Sequence, residues 1–274
     1  MWTEVWLSSK RSLNLSMANA QNKVALITGG SRGIGKSIAL EFGNLGYDIV
    51  FNYFRNHNAA EKAQQEIENL GVKCLKLRAH LAEPDQISKM FQSVAQEFNT
   101  MDVLINNAAS GVQRNVDELT PKHWDWAMNI NARAPWLCSI EASKLMPNGG
   151  SIVNITSEGS RKVLPYYLSV GTSKAALESL TRYLAVEFAE KGINVNAVSG
   201  GYVQTDALES FPNKKDMVSA VKNTLAGRVI TGSDIAKVTA FLCSEDAEMI
   251  RGQVIVVDGG VTLPAPLPLS LIHI

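Results

Sequence analysis

Short apolar runs alternate with longer segments of helical periodicity along most of the chain. Runs of this length and composition are typical of strands buried on both faces. They lie at 23–28, 48–53, 72–77, 103–106, 151–155, 194–198 and 253–257. Between them, apolar positions recur at the spacing of a helix face, at about 34–42, 59–70, 84–98, 121–146, 167–190 and 233–243. Strands that alternate with helices in this way predict an α/β fold: a doubly wound, Rossmann-like parallel sheet of about seven strands, with helices on both faces.

The same pattern bounds one domain. No linker, repeat or block of charge divides residues 22–262, so they are predicted to fold together. Residues 1–21 form an N-terminal extension, in which Met17 is a candidate start, and residues 263–274 are treated as a non-native or disordered tail. The irregular segment 201–230 follows the sixth strand, at the sheet edge where ligands bind in such folds. It is predicted to be either a substrate lid or an ordinary solvated loop.

Charge and cysteine content exclude several classes of protein. The 26 basic and 26 acidic residues give a formal net charge of zero, which argues against a general nucleic-acid binder. The three cysteines are widely spaced and predict neither a disulfide framework nor a metal site. No apolar run approaches the length of a membrane span, and the first residues lack a signal-peptide pattern. A soluble, cytoplasmic protein is therefore expected.

A glycine-rich loop joins the first strand to the first helix. Gly29 permits a tight turn, Gly33 lets the backbone approach a pyrophosphate, and Gly35 lets the helix pack close to the sheet. The N–H groups and dipole of the helix N-terminus favour phosphate at the same place. The candidate phosphate-binding residues are Gly29, Ser31, Arg32, Gly33, Ile34 and Gly35. A purely structural turn is the simpler interpretation, but the surrounding strand–helix–strand pattern favours a dinucleotide.

The end of the second strand indicates which dinucleotide is bound. A carboxylate there would bind the 2′-hydroxyl of NAD, but the chain reads Asn52-Tyr-Phe-Arg55, with no acid. Arg55 and Arg32 are cations that could meet a 2′-phosphate, and Asn52 is a further candidate contact. The sequence therefore predicts NADPH as the cofactor.

Two residues at the start of the fifth predicted helix are candidate catalytic groups. Seven helical residues bring Tyr167 to within about 20° of Lys174, with Val170 between them, whereas Tyr166 lies about 80° away. A phenol beside an ammonium makes a proton donor with a cationic neighbour. Alone, the pair would be better interpreted as a half-buried aromatic and a solvated lysine.

Together these motifs resemble the short-chain dehydrogenase/reductase family. The resemblance rests on the T-G-x3-G-x-G loop, on Asn106-Asn-Ala-Ala109, on Asn131 and on Ser157, and it covers about residues 22–262. It implies that Asn107 and Ala108 border the cofactor, that Asn131 is a structural hydrogen-bonding residue, and that Leu81 and Gly200 also contact the cofactor. His80-Leu81 stands where many members place an Asp near the adenine, so Leu81 would contribute through its backbone.

Within the family, the spacing of Tyr and Lys is informative. Carbonyl-reducing members pair them as Y-x3-K, but residue 170 is Val, which has no proton to give. Tyr167-x6-Lys174 instead resembles the enoyl-acyl-carrier-protein reductases, most nearly the FabL type. The stretches that resemble this type are 107–111, 123–126, 128–131, 170–174, 198–201 and 206–208.

That resemblance implies the NADPH-dependent reduction of trans-2-enoyl-ACP to acyl-ACP in fatty acid synthesis. Tyr167 would stabilise the enolate, Lys174 would hold the nicotinamide ribose, and Ser157 would either orient substrate or Tyr167 or merely cap a turn. An acidic acyl carrier protein would be the partner, guided by basic residues such as Lys214 and Lys215. A homotetramer is also implied.

Two alternatives remain open from the sequence. One is a carbonyl reductase, such as a 3-oxoacyl-ACP reductase, in which Tyr167 protonates an alkoxide. The other is a non-catalytic NADPH-binding or scaffold protein. Tyr166 could line the acyl channel, but an aromatic core role is the preferred expectation. Trp136, Leu180 and Tyr183 indicate a second buried face on the long helices.

Overall fold

A computed structural model describes residues 22–203 and 224–263. The N-terminal extension, residues 204–223 of the proposed lid with Lys214 and Lys215, and the tail beyond residue 263 lie outside the described residues.

The apolar runs form the sheet that their pattern predicts. The strands are β1 Val24–Ile27, β2 Asp48–Tyr53, β3 Cys74–Arg78, β4 Val103–Asn106, β5 Gly150–Ser157, β6 Ile193–Gly200 and β7 Val254–Val257. They pair in parallel in the order β3-β2-β1-β4-β5-β6-β7. The doubly wound parallel fold is therefore confirmed. Because β1 and β4 are neighbours, the strand order reverses between them, and such a point opens a crevice at the carboxyl ends of the strands.

Helices cover both faces of this sheet. They are α1 Gly33–Asn44, α2 His57–Glu68, α3 Pro84–Phe98, α4 Pro121–Met128, α5 Ala134–Lys144, α6 Leu168–Glu187 and α7 Gly232–Leu242. One core contains Phe42, Ile67 and Ile235 from α1, α2 and α7. The core on the opposite face contains Phe91 from α3 and Leu184 from α6. Among the described residues, no helix combines the length and apolar character needed to cross a membrane.

The predicted helix over 121–146 is divided. A π-helical turn, Asn129–Arg133, separates α4 from α5, and the Ala134 N–H donates to the Asn129 carbonyl five residues back. Pro135, at the start of α5, has no N–H with which to continue the regular ladder, so an irregular turn precedes it.

The predicted helix over 167–190 begins one residue later. Tyr167 precedes α6 with φ −110° and ψ 11°, and the helix ends at Glu187. The Tyr167 carbonyl nevertheless accepts the first helical hydrogen bond, from the Gly171 N–H at 2.6 Å. Tyr167 and Lys174 are therefore not two residues of one helix face, and their contacts with β5 decide how they lie.

Candidate active site

The glycine loop after β1 has the conformation that its sequence predicts. Gly29 has φ +66°, a left-handed conformation that glycine adopts without strain. A Cβ on Gly35 would lie 2.3 Å from the Gly29 carbonyl oxygen and 2.4 Å from Asn107 Nδ2, so no side chain fits there. Helix α1 begins at Gly33 with no side-chain cap and no acidic residue in its first turn. Its first N–H groups can therefore serve an anion.

Side chains from three strand ends hold this loop. Thr28 Oγ1 accepts hydrogen bonds from the N–H groups of Asn107 and Ala108, both at 3.0 Å. Asn107 Nδ2 donates to the Thr28 carbonyl at 2.9 Å. Asn52 Oδ1 accepts from the Gly29 N–H at 3.3 Å, and its Nδ2 donates to the Ala79 carbonyl at 2.9 Å. Asn52 thus supports the loop, and Thr28 is a supporting residue that the sequence reasoning missed.

Replacing Gly35 by Ala should weaken NADPH binding at least tenfold. The added methyl would overlap a backbone oxygen, which moves only if the whole phosphate-binding loop moves. Titration of NADPH fluorescence measures the dissociation constant, and thermal melting measures stability.

Gly46→Ala is the control, because Gly46 lies just past the other end of α1, with φ +83°, and has no atom within 4 Å of an added Cβ. It should lower stability by about 1 kcal/mol and leave the dissociation constant unchanged. An unchanged NADPH affinity in Gly35→Ala would contradict the placement of phosphate at this loop.

A cleft of about 590 Å³ opens along the carboxyl ends of the strands. It is lined by most of the predicted cofactor residues: Gly29, Ser31, Arg32, Gly33, Ile34, Gly35, Asn52, Arg55, Leu81, Asn107 and Ala108. Phe54, Trp126 and Ile130 also line it, although their sequence pattern gave no sign of this. Gly200 and Lys174 are not among the described lining residues; Gly200 pairs with Ser157 at the ends of β6 and β5.

The charges of the cleft fit a dinucleotide with a 2′-phosphate. Arg32 and Arg55 line it from two loops, and residues 52–56 after β2 include no acid. Phe54 lies between Arg55, whose guanidinium carbon is 5.7 Å from the ring centroid, and the His80 ring at 4.3 Å. Two guanidinium groups beside an open helix N-terminus can neutralise several phosphate charges. The residues present therefore fit NADPH.

The candidate catalytic phenol lies at the end of β5. Tyr167 OH is 3.4 Å from Ser157 Oγ, and Ser157 makes no side-chain cap on the following turn. The interpretation of Ser157 as a partner of Tyr167 is therefore favoured over that of a turn cap. Burial raises the pKa of Tyr167, and the hydrogen bond with Ser157 offsets only part of this effect. The phenol thus keeps its proton at neutral pH.

Lys174 is buried, with 5% of its surface exposed, so the interpretation as a solvated lysine is wrong. Its Nζ donates a hydrogen bond to the Ile155 carbonyl at 2.7 Å, two residues before Ser157 on β5. Burial lowers the pKa of Lys174 to about 8. Ser157, Tyr167 and Lys174 are therefore gathered at one strand end.

The neighbours of Tyr167 take different positions. Tyr166 has φ +63° and is 40% exposed, so the expected core-aromatic role is wrong. Val170, by contrast, is buried and fills the space beside Gly111, where an added Cβ would lie 2.4 Å from Val170 Cγ2. The position one turn before Lys174 is therefore occupied by close apolar packing.

Asn131 lies in the π-helical turn and is fully buried. Its Oδ1 accepts from the Ser110 N–H at 2.8 Å, and its Nδ2 lies 2.8 Å from the Ser110 carbonyl and 2.9 Å from Ser173 Oγ. It joins the loop after β4 to α6, so its predicted structural role is confirmed.

Comparison with known proteins agrees with this geometry. A family model described as "Enoyl-(Acyl carrier protein) reductase" matches residues 29–262. A 1-cyclohexenylcarbonyl-CoA reductase from Streptomyces collinus is 40% identical, over 90% of this chain and 89% of its own length. The angucycline C-6 ketoreductase LanV, with bound NADP, is 32% identical with a TM-score of 0.81, over 87% and 95% of the two chains. A metagenomic blue fluorescent protein in complex with NADPH is 33% identical with a TM-score of 0.81, over 89% and 99%.

Proposed function

The chain belongs to the short-chain dehydrogenase/reductase family, and on that premise we propose that it reduces the carbon–carbon double bond of a 2-enoyl thioester. It is an NADP-dependent oxidoreductase, and NADPH is its cofactor. One similar structure holds NADP and another NADPH, and the cleft of this chain offers such a dinucleotide a glycine loop and two arginines.

One observation carries the choice of reaction. The only phenol in hydrogen-bonding reach of Ser157 among the described residues belongs to Tyr167, while Val170 fills the position that carbonyl-reducing members give to their Tyr. The Streptomyces collinus relative is named for a substrate with a double bond conjugated to a thioester carbonyl, which supports the same chemistry.

The chemistry follows from where charge develops. NADPH, when bound, supplies a hydride to the β-carbon of the substrate. Negative charge then develops on the thioester oxygen, and the Tyr167 phenol is the donor that stabilises it; a proton from solvent adds to the α-carbon as the enolate collapses, which completes the saturated thioester. Ser157 orients the Tyr167 hydroxyl through the 3.4 Å contact. Lys174 adds positive potential at the same strand end, and the two ammonium donors that the Ile155 carbonyl does not use can serve the nicotinamide ribose.

The carrier of the acyl group is part of the proposal. We propose acyl-ACP, in fatty acid synthesis, as the physiological substrate, while the name of the relative makes a CoA thioester the second candidate. A carbonyl reductase is the second candidate reaction, because LanV, a ketoreductase, shares the fold over nearly its full length.

Four substrates tested side by side separate these possibilities. NADPH oxidation is followed with crotonyl-ACP, crotonyl-CoA, acetoacetyl-ACP and acetoacetyl-CoA, and the product is identified by mass spectrometry. We expect turnover of the crotonyl thioesters, with a higher kcat/KM for the ACP form. Turnover of acetoacetyl thioesters alone would overturn the enoyl assignment, and a preference for CoA would overturn the carrier assignment only.

The rate should depend on pH through Lys174. Because burial lowers its pKa to about 8, the free enzyme loses this positive charge as pH rises through that value. The pKa of Tyr167 is raised, so the phenol does not titrate first. We expect kcat/KM for NADPH to fall above pH 8, since this parameter reports ionisations of the free enzyme. A profile that stays flat to pH 9.5 would contradict a role for the charged ammonium.

We also propose that four copies of the chain assemble. Trp136 on α5 and Tyr183 on α6 are exposed large hydrophobic residues, as a contact between copies would require. Light scattering should give about four times the 29.8 kDa mass of the chain. Tyr183→Asp should lower this mass, and a monomeric wild-type protein would contradict the proposal.

A further inference from the structure

The Tyr167 ring packs against two glycines, Gly159 and Gly171. A Cβ on Gly159 would lie 2.5 Å from both Cδ1 and Cε1 of Tyr167, and a Cβ on Gly171 would lie 3.4 Å from Cδ1. Gly171 belongs to α6, but Gly159 belongs to the short 3₁₀ turn Glu158–Ser160 that follows β5. The ring position therefore depends on where this turn is held.

A buried carboxylate on α6 holds the turn. Glu178 is only 5% exposed, and its Oε1 lies 2.5 Å from Ser160 Oγ and 3.2 Å from Thr156 Oγ1. Its Oε2 accepts from Arg161 Nε at 2.9 Å. Ser160 Oγ also lies 2.7 Å from the Ser157 carbonyl oxygen, so Ser160 links Glu178 to the backbone of Ser157.

Glu178 lies on the same helix as Lys174. It follows Lys174 by one helical turn, so one helix carries both the ammonium and the carboxylate that fixes the turn under the phenol. The turn also carries a carboxylate of its own. Glu158 accepts from Ser199 Oγ on β6 at 3.0 Å, which fixes the turn to the sheet.

We propose that Glu178 is a positioning residue for Tyr167. It holds the 158–160 turn in place, and Gly159 of that turn packs against the Tyr167 ring. The phenol is thereby kept beside Ser157 and at the same strand end as Lys174. The inference rests on the proposed role of Tyr167 as the donor. It assigns to Glu178 an effect on the chemical step that acts through Tyr167 and not through cofactor binding.

A double-mutant cycle between Glu178→Gln and Tyr167→Phe tests this. Gln keeps the size of the side chain but places an amide donor or a neutral oxygen against Arg161, which loosens the turn. We expect Glu178→Gln to lower kcat for crotonyl thioester at least tenfold, because small misplacements of a donor have effects of this size. The NADPH dissociation constant should stay within twofold. In the Tyr167→Phe background, Glu178→Gln should have no further effect on kcat.

Arg161→Ala is a second variant on the exposed side of the same contact, and it should lower kcat in the same direction with little risk to folding. Thr181→Val is the matched control: Thr181 is buried on α6, and its hydroxyl accepts from Asn154 Nδ2 and donates to the Leu177 carbonyl, neither of which belongs to the turn. It should lower the melting temperature and keep kcat within twofold.

Three outcomes overturn the inference: an unchanged kcat in Glu178→Gln, an equal loss with and without the Tyr167 hydroxyl, or a loss confined to NADPH affinity. They are distinguishable from failure of the proposed function. If Tyr167→Phe itself is near wild type, the donor assignment falls. If Tyr167→Phe is impaired and the Glu178 effect is additive, only the positioning role falls.

Discussion

Replacing Tyr167 by Phe should lower kcat for enoyl reduction by a factor on the order of 10²–10⁴. The substitution removes only the hydroxyl that lies 3.4 Å from Ser157 and leaves the ring packed against Gly159 and Gly171. The developing enolate then loses its proton donor in a buried site, where water replaces a donor poorly. Single-turnover NADPH oxidation separates this chemical step from product release.

Tyr166→Phe provides the control one residue away. Tyr166 is exposed, and its backbone carbonyl accepts a hydrogen bond from the Arg114 N–H at 3.1 Å. Loss of its hydroxyl should leave kcat within twofold. Both variants should keep a melting temperature close to that of the wild type. If Tyr167→Phe retained near-wild-type rates, Tyr167 would be an ordinary buried aromatic and the proposed reaction would lose its donor.

The fold was predictable because its signals are local. A strand buried on both faces needs a short run of apolar residues, and a doubly wound sheet repeats that run between amphipathic helices. The glycine loop was predictable for the same reason. The positive φ of Gly29 favours glycine, and the close approach of Gly35 to the Gly29 carbonyl leaves no room for a side chain, so the residue type at each position reflects the conformation directly.

The site was less predictable, because its contacts join residues far apart in the chain. Thr28 is hydrogen-bonded to Asn107, which lies 79 residues later in the sequence, and Glu178 is hydrogen-bonded to Ser160, which lies 18 residues earlier. No local periodicity records such pairs. Helical spacing singled out Tyr167 and Lys174, and both do lie at the end of β5, but the reason is only partly correct, since Tyr167 precedes the helix. Tyr166 was placed in the core because aromatic residues usually are, whereas its left-handed backbone turns it outward.

Replacing Lys174 by Met should separate function from stability. Met has nearly the same length but no charge, so the ribose loses an ammonium with two available donors and the enolate loses positive potential. A hydrogen bond to a charged group contributes about 1.5–3 kcal/mol, so we expect NADPH affinity to fall roughly 10- to 100-fold. Fluorescence titration measures this loss. The fall of kcat/KM above pH 8 in the wild type should also disappear.

At pH 7 the unfolding free energy of Lys174→Met should be no lower than that of the wild type. The variant should be the more stable of the two if its folded chain relaxes little around Met. A buried ammonium with a pKa of about 8 instead of 10.5 disfavours folding by up to about 3 kcal/mol at pH 7. The lost hydrogen bond from this charged donor to the Ile155 carbonyl offsets about 1.5–3 kcal/mol of that gain. Between pH 8 and 10.5 the unfolded wild-type chain binds a proton that the folded chain does not, so wild-type stability rises with pH across this window. The Met variant lacks that rise, and the two stability curves should converge toward pH 10.5. A variant that is strongly destabilised at pH 7 would show instead that the Lys174 ammonium supports the fold, and the separation of function from stability at this residue would be wrong.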